Sequence, residues 1–290
     1  MTMSDKVSNL ITRAITGVIF VAIIVSCFLR PETMILLFAL VTGLTMWEYT
    51  GLVDDIDGVS VNRFITTAAG TYLFLAIAGY CSGITPPAVF IPYLLTIVYL
   101  FISELYTKAP NPINNWAYTM LPQLYIALPM AMVNVLAFRG DINSIAFTPL
   151  LPLSIFIFLW TNDTGAYCSG SLFGRHKLFP RISPGKSWEG SIGGGLLVLA
   201  VAALIGWGEQ TGKIVNANTG FSILQWMGLG LTVVFFGTWG DLVESLFKRT
   251  LGIKDSGNIL PGHGGMLDRF DSSLLALPAA VVYVYTVTLF

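Results

Sequence analysis

Asp241, Glu244, Ser245 and Lys248 stand at i, i+3, i+4 and i+7, the spacing that puts four polar side chains on one helix face. Asp268 and Asp271 are also three apart, so both carboxylates can point one way from the start of a further helix. With Asp241 they can supply hard oxygen ligands to Mg²⁺, which takes one or two carboxylates plus substrate phosphates. Three carboxylates leave open a second cation. The competing explanation for Asp268 and Asp271 is a first helical turn favouring acids through its dipole. Just upstream, Pro261-Gly262-His263-Gly264-Gly265 is a turn whose backbone N–H groups can approach phosphate. Lys248, Arg249, Lys254 and Arg269 flank it. His263 can donate to a phosphate or move a proton, or it can bond within its own loop.

A second polar stretch has related chemistry. Ser183-Pro184-Gly185-Lys186-Ser187 places two hydroxyls and an ammonium around a tight turn at a helix start, an arrangement that can cradle a triphosphate. It is not a P-loop, because the GxxxxGK[ST] spacing is missing. Basic residues resting on anionic lipid headgroups are the alternative reading. Trp188, next in line, reads as an interfacial anchor rather than a base-stacking platform.

What must position these loops is a membrane scaffold. The chain has 290 residues, 54% of them hydrophobic and 11% charged, with a mean hydropathy of +0.74. A soluble domain carries about 25% charged residues, so lipid must be the outer solvent. Nine apolar stretches reach the length needed to cross a bilayer as helix: 11–29, 34–52, 64–82, 88–106, 115–138, 147–169, 191–208, 223–247 and 272–290. They do not alternate as lipid-facing barrel strands do. The expected fold is therefore all-α and polytopic. The first span lacks a small-residue cleavage site and reads as retained. Cys27, Cys81 and Cys168 lie in or beside the spans and read as small packing residues.

Positive charge concentrates on the cytoplasmic side of membrane proteins. With the N-terminus inside, twelve of the fifteen basic residues fall on inside segments, and only Arg30, Arg139 and Lys213 fall outside. Both polar loops, 170–190 and 248–271, are then cytoplasmic. Asp241 would lie roughly 27 Å along a helix starting near Ile223, close to that edge. Glu48, beside Trp47 and Tyr49, and Glu104, before Leu105 and Tyr106, read as charges snorkelling at helix ends. Asp54, Asp55 and Asp57 read as a solvated turn.

The run S-x-F-K-R-x4-K-D-S-G…P-G-H-G-G-x-x-D-R-x-D, from Ser245 to Asp271, resembles the signature of phosphatidate cytidylyltransferases. Asp163-Thr164-Gly165-Ala166-Tyr167 and Ser183-Pro184-Gly185-Lys186-Ser187-Trp188-Glu189-Gly190 are similar to two further elements of that family, with a departure at Ser171, where a basic residue is commoner. Stretches 163–190 and 245–271 make up about a fifth of the chain. The resemblance implies an integral membrane enzyme (of the inner membrane if bacterial) with its active site facing the cytoplasm. It implies CTP and phosphatidic acid as substrates, CDP-diacylglycerol and pyrophosphate as products, and a homodimer. It associates Asp241, Asp268 and Asp271 with a divalent-metal site and Lys248 with phosphate. Lys248, Asp271, His263 and Arg269 are then the expected catalytic residues. Ser183, Lys186, Ser187, Arg249, Lys254, Gly264 and Gly265 are the expected substrate contacts.

Residues 1–140 are expected to be scaffold helices and 141–290 the catalytic part. Nucleic acid is not an expected partner. Two rivals remain: a CTP-dependent lipid kinase or a cytidylyltransferase for another lipid phosphate, and a transporter. A transporter's polar residues would gather near the bilayer midplane, not at one edge.

Overall fold

The computed structural model describes residues 16–140, 144–214, 219–259 and 264–289. They form helices α1 (Thr16–Cys27), α2 (Pro31–Asp54), α3 (Arg63–Cys81), α4 (Ile91–Thr107), α5 (Pro112–Pro122), α6 (Leu128–Ala137), α7 (Leu150–Phe173), α8 (Trp188–Gln210), α9 (Ile223–Thr250) and α10 (Leu267–Leu289). Two short antiparallel ribbons complete the structure: β1 (Phe138–Arg139) with β2 (Ala146–Phe147), and β3 (Lys177–Phe179) with β4 (Ser183–Ser187).

Among the described residues, seven helical stretches are long and apolar enough to cross a membrane, with α4 extended by a 3₁₀ turn and α5 continuous with α6. The protein is therefore a polytopic, helical integral membrane protein, and the expected count of nine spans is approximate. Two expected spans differ from the rest for separate reasons. Helix α1 has only 12 described residues. Helix α7 has 24 residues, but Thr161-Asn162-Asp163-Thr164 dilutes its apolar character. Between α5 and α6, Pro122 removes a backbone donor, and the chain passes through a π-helical turn at Gln123–Ala127.

The chain divides into two compact units. The first holds residues 1–131 and 251–270, so the stretch after α9 and the first turn of α10 fold with the N-terminal helices. Its core packs α2 against α3. Phe20 and Phe38 both meet Phe270 edge-on, at 5.8 and 6.1 Å between ring centroids. Two polar contacts tie its helices: Gln123 Nε2 donates to the Thr66 carbonyl at 2.8 Å, and Asn115 Nδ2 donates to Glu104 Oε1 at 2.7 Å. One oxygen of the half-buried Glu104 is thus held by the neighbouring helix α5.

The second unit holds 132–250 and 271–290. Helices α7, α8 and α9 pack in sequence. The α7–α8 contact is so close that a Cβ on Gly165 would stand 2.9 Å from the Gly194 Cα. Small residues bring membrane helices together in this way because lipid supplies no hydrophobic drive between them.

Candidate active site

The second unit contains a polar cleft of about 210 Å³, lined among others by Asn162, Asp163, Lys186, Ser187, Asp241 and Ser272. Each element reaches it for a local reason. Ser183–Ser187 pairs with Lys177–Phe179 as an antiparallel strand, so the expected tight turn is instead an extended ribbon ending at α8. Ser187 caps α8, its Oγ accepting the Gly190 N–H at 3.2 Å, and is buried. The other end of the ribbon is tied down by Glu189. Its carboxylate accepts the backbone N–H of Arg175 and of His176 at 3.2 Å, and lies 2.6 Å from His176 Nδ1.

Lys186 then projects from the ribbon to α9. Its Nζ lies 2.6 Å from Asp241 Oδ2 and 3.4 Å from the Thr238 carbonyl. The other Asp241 oxygen accepts from Ser245 Oγ at 3.2 Å. Gly240 precedes Asp241 because α10 passes there: a Cβ at this position would meet the carbonyl oxygens of Asp271 and Ser272 at 2.9 and 3.0 Å. The same close approach brings the Asp271 carboxylate within electrostatic reach of Asp241, Asp163 and Lys186. Three acids and one ammonium thus share one partly open site, with Lys186, Asp241 and Asp271 half-buried and Asp163 exposed.

Lys248 turns elsewhere. Its Nζ lies 2.8 Å from Glu244 Oε2, with the lysine side chain 12% exposed and the glutamate fully buried. The i, i+4 spacing read as one polar face is therefore used in part for a buried ion pair. Arg249, in the same last turn of α9, is exposed, and Ser183 is half-buried on β4.

The remaining expected residues belong to the first unit. Asp268 Oδ2 accepts the Ser256 N–H at 2.9 Å and the Gly265 N–H at 2.8 Å. Gly264 has φ +81°, a left-handed conformation that glycine adopts without strain. Lys254 and Arg269 are exposed. His263 lies outside the described residues.

Two lining residues, Asp163 of the Asp163–Tyr167 motif and Asn162 just before it, carried no expected role. Their signal is an amide and a carboxylate inside an otherwise apolar helix. Glu48 is a different case. It is 8% exposed, and its Oε2 accepts the Leu267 N–H at 2.8 Å, so the snorkelling reading fails: a backbone donor, not water, receives its charge.

Beside the polar cleft lies an apolar groove of about 380 Å³ between α8 and α9, walled by Trp188, Ile192, Leu196, Leu231, Phe235 and Trp239. Ser191 and Thr238 line both cavities.

Among the described residues no three of His, Cys, Asp and Glu form a closed metal cage. A hard divalent cation does not require one, since Mg²⁺ keeps waters and takes substrate phosphates beside one or two carboxylates. Asp241 and Asp271 are a suitable pair of hard donors.

The fold and the cleft together define a helical membrane protein with carboxylates and an ammonium gathered at one polar site. Comparison with known sequences narrows the class. The profile of the Cytidylyltransferase family matches residues 11–287. The chain is 33% identical to a phosphatidate cytidylyltransferase of Haemophilus influenzae over 90% of its own length and 93% of that protein. It is 32% identical to a phosphatidate cytidylyltransferase of Staphylococcus haemolyticus, over 92% of this chain and 95% of that one. The corresponding protein of Staphylococcus saprophyticus is 48% identical within a 128-residue stretch, 43% of this chain and 45% of that protein. This chain belongs to the cytidylyltransferase family and is a nucleotidyltransferase.

Proposed function

We propose that the chain transfers the cytidylyl group of CTP to phosphatidic acid at the Lys186–Asp241 cleft. A phosphate oxygen of phosphatidate attacks the α-phosphorus of CTP. The bond from that phosphorus to the bridging oxygen of the β-phosphate breaks, and CDP-diacylglycerol and pyrophosphate result. The observation that carries this reading is the 2.6 Å contact between Lys186 and Asp241, which joins the Ser183–Gly190 motif to the helix leading into the Ser245–Asp271 motif.

The obstacle is charge, since a phosphate monoester carries about −1.5 to −2 at neutral pH. The nucleophile is already a phosphate oxygen, so no protein nucleophile is needed, and positioning and charge neutralisation supply the catalysis. Lys186 donates to the phosphates, and Arg249, Lys254, Arg269 and Lys248 contribute positive charge, Lys248 once released from Glu244. Ser183, Ser187 and the N–H of Gly264 position phosphate oxygens, joined by the Gly265 N–H once released from Asp268, and His263 donates to them. Asp241 and Asp271 would hold Mg²⁺, which when bound would neutralise phosphate charge, and Asp268, whose Oδ2 takes the Ser256 and Gly265 N–H groups, is a further carboxylate of the proposed machinery. At about 210 Å³ the cleft is smaller than the ~300–1,000 Å³ of typical ligand sites. It suits the reacting phosphates, with the nucleoside outside. The apolar groove between α8 and α9 suits an acyl chain of the lipid substrate.

The site faces the cytoplasm by the distribution of basic residues, the N-terminal helices serve chiefly as scaffold, and the family resemblance supports a homodimer. The deciding experiment supplies purified protein with labelled CTP, Mg²⁺ and phosphatidate. CDP-diacylglycerol with pyrophosphate is the expected result. CDP with a newly phosphorylated lipid would make the protein a kinase, and no lipid product would end both readings.

A further inference from the structure

Glu48 lies on α2, more than two hundred residues before the motif it touches. Its Oε2 accepts the N–H of Leu267, the first residue of α10. That N–H is one of the donors a helix start cannot satisfy internally, and a carboxylate there also meets the positive end of the helix dipole. Glu48 thus caps α10 from another helix.

The carboxylate does more than cap. A Cβ on Gly257 or on Gly265 would overlap Glu48 Oε1, so the backbone closes around this one oxygen at two places. The Ser256 hydroxyl occupies the same spot beside Gly265, and Ser256 is 4% exposed. Ser256 and Gly265 also send their N–H groups to Asp268 Oδ2. Two carboxylates, Glu48 and Asp268, therefore hold this backbone by three hydrogen bonds, from the N–H groups of Ser256, Gly265 and Leu267. A carboxylate buried in a membrane helix is costly, on the order of 2.5–3.5 kcal/mol on insertion scales. A helix cap alone needs no such device, since Ser, Thr, Asp or Asn at the cap position serves as well.

We propose that Glu48 is a positioning residue for cytidylyl transfer: it sets the backbone that orients Asp268 and Arg269, and so acts on turnover instead of on folding alone. The proposal rests on the reading of Asp268 as part of the site. It also explains two glycines of the motif by contact with a helix outside the motif.

The test measures kcat, the KM for each substrate, thermal midpoint and tryptic cleavage after Lys254 in the full-length protein in detergent. In Glu48→Gln the amide oxygen still accepts the Leu267 N–H, and turnover should stay within about fivefold of wild type. Glu48→Ala should lower kcat by about 30-fold or more, with KM for phosphatidate unchanged and cleavage after Lys254 faster. Gly257→Ala should match that loss because its Cβ would meet only atoms of the same carboxylate side chain. In the double variant Glu48→Ala/Gly257→Ala the collision is gone, so its rate should be no lower than about that of either single variant. Losses that multiply in the double variant would overturn the proposal, as would wild-type kcat in Glu48→Ala. If Glu48→Ala does not fold, Glu48→Gln and Gly257→Ala still decide: a Gln variant as slow as Gly257→Ala overturns it. Wild-type protein making no CDP-lipid would instead sink the proposed reaction and leave the contact geometry untouched.

Discussion

Asp241 and Glu48 both sit on apolar helices, yet their charges are met in opposite ways. Asp241 faces a mobile partner, the Lys186 ammonium at the end of a flexible side chain, in a cleft open enough to admit a ligand. Glu48 faces backbone, the Leu267 N–H, and is enclosed by glycines that leave no room for a Cβ. An ammonium can be exchanged for a substrate or a metal ion within its own side-chain motion. A backbone amide can be exchanged only by moving the chain. The first arrangement suits a group that meets substrate, and the second suits a group that holds others in place. Asp268 shares the second character, because one of its oxygens already takes two backbone N–H groups.

The comparison breaks most sharply at Asp241. Asp241→Asn should reduce turnover by on the order of 10³-fold, the upper end of what removing one preorganised electrostatic group costs. The protein should still elute as a single species in detergent. A rate within tenfold of wild type would remove Asp241 from the site. Lys186→Met should come next, at about 10²-fold, and Lys186→Arg should recover part of that because charge is kept while point-charge geometry is lost. Equal rates in the Met and Arg variants would mean that charge at this position is irrelevant.

Asp268→Asn sharpens the contrast by asking for two effects at once. Turnover should fall strongly, and trypsin should cut after Lys254 several-fold faster, because an amide oxygen is a weaker acceptor for the Ser256 and Gly265 N–H groups. Asp241→Asn should leave that cleavage unchanged. If both variants loosen the loop equally, the division between exchangeable and fixed carboxylates fails.

A smaller effect is expected at the buried pair Glu244–Lys248. Either Glu244→Gln or Lys248→Met should lower stability by about 3 kcal/mol, because each leaves one charge buried without its partner, while the double variant should regain most of it. Thermal unfolding of the three variants in detergent measures this. Simple additivity would mean that the 2.8 Å contact carries no coupling.

The helices and the phosphate chemistry were legible in the residues for different reasons. Apolar runs of about twenty residues have few alternatives to a membrane helix, because every backbone polar group must be satisfied within the span. A run such as Lys248-Arg249…Lys254-Asp255-Ser256-Gly257…Asp268-Arg269…Asp271 resists chance in a chain so poor in charge. Helix α7 was harder to read to its end, since Asn162 and Asp163 weaken the apolar signal where the helix turns polar to line the cleft. The ribbon at Ser183–Ser187 was read as a turn, because proline and glycine are turn formers and the pairing with Lys177–Phe179 is not written locally.

What the sequence by itself determined is residence in the membrane, a helical fold and a cytidylyltransferase motif. Periodicity, hydrophobicity and residue type act over short spans and need no partner. What only the tertiary structure decided is which charge each carboxylate meets. Lys186 pairs with Asp241, Lys248 turns to Glu244, and Glu48 reaches across to Leu267. Such pairings depend on which helices pack together, and a single glycine, as at Gly240 or Gly265, sets how near they come. That distance is a property of the packed chain, not of any segment in it.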